Sequence, residues 1–215
     1  TEVDTLSLHD ALPIYRLLAE YYGETIGDGY ETTEAEDEPE FHMTQAKNFG
    51  QFFTSDQVAE RLLNIAEPGP GCRVLEPSAG SGQLARRARD RGATVDCIEI
   101  QPGLAHKLNT VHGLRCIEGD FLKHHAAVAP RYDMILMNPP FDRGRDCDHV
   151  RHAWDFLAPG GKLCAILSAR AEYGSDKRHK ALHRIVDSAE AAYGNQKWID
   201  LPPGSFAHEI GRAHV

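Results

Sequence analysis

Residues 132–141 read YDMILMNPPF, an apolar run that ends on Asn138, Pro139, Pro140 and Phe141. A run of this length, rich in Met, Ile and Leu and closed by turn residues, predicts a strand buried in a parallel sheet. The prolines end it, because neither has an N–H to give to a ladder. Asn138 and Phe141 are therefore expected on a stiff loop at the carboxyl end of a central strand, where open α/β sheets hold their ligands. An amide oxygen, fixed backbone carbonyls and a flat apolar ring suit the holding of a planar amine.

Upstream, Arg73 to Pro77 reads as the first strand, and Ser78 and Ala79 lead through a turn into a helix. Gly80, Gly82 and Ala85 fit G-x-G-x-x-A, in which small residues permit a tight turn and close backbone approach to a ligand. The pattern alone suits a dinucleotide equally well. Glu76, placed before the glycines, favours a cationic ligand over a pyrophosphate by Coulomb attraction. Thr94 to Ile100 is the next expected strand, with Glu99 at its tip positioned to accept two ribose hydroxyls. Leu114 to Glu118 is the third, leading into Gly119, Asp120 and Phe121. An isolated Gly-Asp is as readily an ordinary turn. Three acids at three successive strand ends are less readily a coincidence.

On the amino side, Asn48 to Ile65 (NFGQFFTSDQVAERLLNI) has Thr54 or Ser55 as a helix cap and Val58, Leu62, Leu63 and Ile65 at roughly helical spacing. On the carboxyl side, Arg143 and Arg145 lie in a charged loop that could meet phosphates or simply be solvated. His149 and His152 stand i, i+3, but no carboxylate or cysteine completes a metal set, and none is expected. Gly161 to Ser168 reads as a further strand. Lys177, Lys180, Arg178 and Arg184 open the helical stretch 176–188, and Trp198 to Leu201 reads as a sixth strand.

The 215 residues suffice for one α/β domain with a proper core. The formal charge of −9 is concentrated: Glu24 to Glu40 holds eight acids and no Lys or Arg, which leaves the rest of the chain near −1. The body can thus carry local basic patches. Five cysteines without zinc or redox spacing read as buried hydrophobes of a cytoplasmic protein. No stretch approaches 18 apolar residues.

VLEPSAGSG, GDF and NPPF in this order, with QFFT before them, resemble the N6-adenine-type S-adenosylmethionine (SAM)-dependent DNA methyltransferases over Gln51 to Phe206. The resemblance implies a Rossmann-like class I methyltransferase, with a mostly parallel sheet, helices on both faces and the last strand missing. It implies SAM bound by Phe53, Thr54, Glu76, Ser78, Gly80, Gly82, Glu99, Ile100, Asp120 and Phe121. Asn138, Pro139, Pro140 and Phe141 would be catalytic, and Arg143 and Arg145 would bind the substrate strand. The implied reaction is methylation of adenine N6 in DNA in a bacterial or phage-infected cell, with a partner subunit supplying sequence recognition. Related enzymes with the same loop methylate RNA guanine N2 or protein glutamine, and an inactive SAM-binding module is the reading outside enzymology. Residues 1–14 and 209–215 look similar to translated sequencing adapter. The expected layout is an extension with an acidic linker over 1–47, the methyltransferase domain over 48–208 and a non-native tail over 209–215.

Overall fold

The computed structural model describes residues 54–128, 131–193, 198–199, 201 and 213–214. Five parallel strands form the sheet: β1 (Arg73–Glu76), β2 (Thr94–Glu99), β3 (Arg115–Glu118), β4 (Tyr132–Met137) and β5 (Leu157–Ala165), in the order β3-β2-β1-β4-β5. Alternate residues of the central strands feed two separate cores. Val74, Met134 and Leu136 enter one, while Leu75, Ile135 and Met137 enter the other. That is the two-residue period of a strand covered on both faces, and it explains why Val74–Leu75 and Met134–Met137 are apolar without alternation.

Helices α1 (Asp56–Ala66), α2 (Gln83–Asp90) and α3 (Pro102–Thr110) send Leu62, Leu63, Leu84 and Leu108 into the first core. Helices α4 (Arg145–Trp154), α5 (Ala169–Tyr173) and α6 (Lys177–Tyr193) contribute Val150, Ala171 and Leu182 to the second. Ser55 caps α1, its hydroxyl accepting from the Val58 N–H at 3.4 Å. The amino ends of the strands are joined around buried Asp96, which accepts from Tyr132 Oη at 3.1 Å and pairs with Arg73 and Arg115. Their carboxyl ends carry the loops of the site.

Between β3 and β4 the chain returns to the far side of β1. The loops after β1 and β4 therefore diverge and leave a crevice, the switch point at which open sheets bind ligands.

Two expectations are modified. The strand expected at Gly161 to Ser168 is β5 followed by a short β6 (Leu167–Ser168), which pairs antiparallel with β7 (Ala213–His214). Trp198, Ile199 and Leu201 lie in no strand, although Leu201 is buried in the first core and Trp198 packs against the second. Their apolarity reflects burial of an irregular segment, which a run of this length does not distinguish from a strand. The acidic segment, the rest of the amino-terminal extension and Phe53 lie outside the described residues.

Candidate functional site

Glu99 organises the crevice. Its Oε2 accepts from the Gly80 N–H at 2.7 Å and its Oε1 from the Gln101 N–H at 2.8 Å, so one carboxylate fixes the turns after β1 and β2. The Glu99 carbonyl accepts from the Gly119 N–H at 2.9 Å, which brings in the turn after β3. Three turns from three strand ends are locked into one wall.

The two glycines expected to face the cofactor divide their roles. Gly80 lines the crevice with φ +54°, and a Cβ built on it would meet no atom within 4 Å. Space is thus left for a ligand to approach the backbone. Gly82 begins α2 with φ +74°, and a Cβ there would overlap Leu108 Cδ2. It serves helix packing and does not line the crevice.

Glu76 also differs from its expected place. It is 2% exposed, does not line the crevice, and its Oε2 accepts from the Ala85 N–H at 2.7 Å. Burial, and then the nearby Glu99 charge, hold its carboxyl well above the usual carboxylate range against the opposing Ala85 bond. In this setting Glu76 braces the start of α2 from below.

Asp120 lines the crevice and caps a short turn, accepting from the Leu122 N–H at 3.1 Å. Phe121 is buried between the crevice and the second core, its ring centroid 4.7 Å from that of His152 and 5.2 Å from that of Phe156. Ser78 and Ile100 line the crevice as well.

From the opposite side come Asn138 and Pro140. Asn138 Nδ2 donates to Thr54 Oγ1 at 3.0 Å, joining residues 84 positions apart. This bond ties the residue preceding the α1 cap to the end of β4, and it orients the amide. Pro139 is buried outside the lining, and Phe141 is half-buried against the first core. The expected stacking face is thus engaged in packing. Arg145 lines the crevice with Nη1 3.7 Å from Asp142 Oδ1. Arg143 does not line it. Exposed, with φ +54°, it accepts on its carbonyl from Arg178 Nη1 at 2.5 Å.

His149 is the residue that sequence reasoning assigned no role in the site. It lines the crevice at 4% exposure, with Nδ1 3.3 Å from Ser78 Oγ and a buried Nε2 that has no hydrogen-bond partner among the described residues. Burial first, then the Arg145 charge, lower its pKa to about 4 against the opposing pull of Asp120, so the ring is neutral near pH 7. Its position four residues after Arg145, on the same helical face, was the available signal. His152 faces elsewhere, Nε2 lying 2.9 Å from the His124 carbonyl, so the two histidines form no metal pair.

The crevice is open to solvent and, with its mouth included, encloses about 730 Å³. Its donor set matches SAM: an open glycine backbone, acids at two strand ends for hydroxyls and an amine, and the flat edge of Phe121.

The methyltransferase small domain family matches residues 54–199. The tRNA (guanine(6)-N2)-methyltransferase of Thermus thermophilus is 36% identical over 132 residues, 53% of this chain and 38% of that protein. The ribosomal RNA small subunit methyltransferase A of Leptothrix cholodnii is 33% identical over 167 residues, 74% of this chain and 61% of that protein. A type I restriction-modification methyltransferase subunit from Streptococcus thermophilus superposes with a TM-score of 0.59 at 16% identity, over 81% of this chain and 47% of that one. The chain thus spans 38% to 61% of the length of these curated relatives.

Proposed function

This chain belongs to the methyltransferase small domain family, whose cofactor is SAM, and from that premise we propose that it methylates the exocyclic amine of a purine in RNA, with guanine N2 the foremost acceptor. The observation that carries the reading is the Asn138 amide, oriented by Thr54 at the end of β4 and facing the wall fixed by Glu99 across one crevice. The choice of RNA over DNA is supported by relatives at 33% and 36% identity whose names place their action on ribosomal and transfer RNA. The restriction-modification methyltransferase subunit resembles this chain at 16% identity, which speaks for the fold alone. The expected DNA adenine acceptor is accordingly replaced by an RNA purine.

Gly80, Ser78, Glu99, Asp120 and Phe121 would hold the cofactor, with Thr54 beside the acceptor. When bound, SAM supplies an electrophilic methyl carbon on a sulfonium. The exocyclic nitrogen of a purine is a poor nucleophile because its lone pair is delocalised into the ring. Asn138 Oδ1 accepts a hydrogen bond from it, which helps the nitrogen pyramidalise and aim its lone pair. The same oxygen stabilises the positive charge that develops there. An amide is no base at neutral pH, so the surplus proton leaves to solvent after the C–N bond has formed and the methyl–sulfur bond has broken, its electron pair staying on a neutral thioether.

The test is incubation of the purified chain with tritiated SAM and, in parallel, unmodified tRNA transcript, ribosomal RNA and unmethylated duplex DNA, followed by nucleoside analysis. Label is expected in N2-methylguanosine from RNA, and Asn138→Ala should lower turnover by roughly 10²- to 10³-fold. Label confined to N6-methyladenine of the duplex overturns the RNA reading.

A further inference from the structure

Beyond the crevice, α6 has an outer face that the reaction does not use. Lys177, Lys180 and Arg184 recur at i, i+3 and i+7 and are exposed, so they form one stripe along about 10 Å of helix axis. The opposite face holds His179 and Leu182, both buried. No ion pair of these three cations is found among the described residues. The acids nearby are engaged with other groups. Asp148 pairs with Arg178 at 3.2 Å, Asp176 accepts from the Arg178 N–H at 2.9 Å and lies 2.8 Å from His179 Nδ1, and Asp142 lies beside Arg145. Glu172 is half-buried, and exposed Asp187 ends the stripe one turn further on. The positive stretch is thus confined to the first two turns of α6.

Those turns are fastened beside the catalytic loop. Arg178 donates to the Arg143 carbonyl at 2.5 Å, and a Cβ added at Gly144 would meet the same side chain. Arg143 is thereby held in the left-handed region, which a non-glycine residue seldom adopts. Its side chain is exposed, only two residues beyond Phe141. At the same end of α6, Tyr173 closes α5 with 72% of its surface exposed, four residues before Lys177. An aromatic side chain this exposed, four residues before a cationic stripe, suits a strand whose unpaired bases can stack while its phosphates lie on the helix.

We propose that Lys177, Lys180 and Arg184, with Arg143 and Tyr173, form the surface on which an RNA strand lies as it enters the Asn138 loop. The inference rests on the RNA reading of the site and adds where the strand runs. A closed duplex keeps its bases stacked inside and gives the Tyr173 ring nothing to stack on, so the occupant is RNA with unpaired nucleotides.

Binding of the full chain to an unmodified tRNA transcript is to be measured across salt concentration, for the natural chain and for K177A/K180A/R184A, with SAM affinity by calorimetry as the control of folding. Each phosphate contact contributes about 0.7 to the salt slope for single strands, so the triple variant should lose about 2 from the slope of log K against log salt while SAM affinity is unchanged. Tyr173→Ala should weaken binding about fivefold or more and leave the slope in place. A natural chain that methylates RNA while the triple variant keeps the full slope overturns the surface and leaves the acceptor standing. A natural chain that neither binds nor methylates RNA overturns both.

Discussion

His149 concentrates the acid sensitivity of the site in one ring. Its native pKa of about 4 lies below the ordinary 6.5, so as pH falls the unfolded chain takes up this proton before the folded one does. The stability that its neutral form contributes is complete above about pH 6.5 and is lost as pH falls towards 4, by about 3 kcal/mol in all. Urea midpoints at pH 7 and pH 4.5 check this, and His149→Gln should flatten the difference. An equal loss in the variant would place the acid sensitivity elsewhere. The cause was hidden from the sequence, because a histidine in a helix carries no mark of whether it meets solvent or a Ser78 hydroxyl. Asn138 was visible for the opposite reason: the two prolines after it leave its loop few conformations, so residue type and spacing alone place it at a strand end. Its partner Thr54, 84 positions away, was legible as part of QFFT but not as a hydrogen bond to that amide.

At the scale of elements, Gly80 and Gly82 look alike in the sequence and should behave differently when changed. Both have positive φ, so alanine at either is strained. At Gly82 the added carbon also overlaps Leu108 beneath α2, and Gly82→Ala should cost about 2–4 kcal/mol of unfolding free energy. At Gly80 no atom stands in the way, so Gly80→Ala should cost about 1 kcal/mol and weaken SAM binding instead. Chemical denaturation with calorimetric titration separates the two, and equal destabilisation without an affinity difference would refute the division. The G-x-G-x-x-A spacing marks a strand, a turn and a helix start, and it does not say which glycine faces the ligand. Strands β1, β2 and β4 were readable because burial on both faces makes most of their inner residues apolar. Trp198 to Leu201 misled for the same reason, since buried irregular backbone calls for the same residue types.

For the whole molecule, the locking of three turns by Glu99 means that the cofactor meets a wall largely formed in advance. SAM at 100 times its dissociation constant should add about 2.7 kcal/mol to stability, a rise of a few degrees in the thermal midpoint. Glu99→Ala should abolish that rise, and a variant that still responds fully to SAM would show that the wall forms without it. The site is divided along the chain in a simple way. Glu99, Gly80, Ser78, Asp120 and Phe121 all precede residue 128, whereas Asn138, Pro140, Arg145 and His149 all follow residue 131. The Glu99 wall and the Asn138 side of the crevice are thus written in consecutive passages of one chain, with exposed Arg131 between them, and Thr54 of the first passage reaches across to Asn138 of the second. An exchange of chain at that junction would keep the Glu99 wall and part Asn138 from the hydroxyl that orients its amide, so the two passages work only as a matched pair.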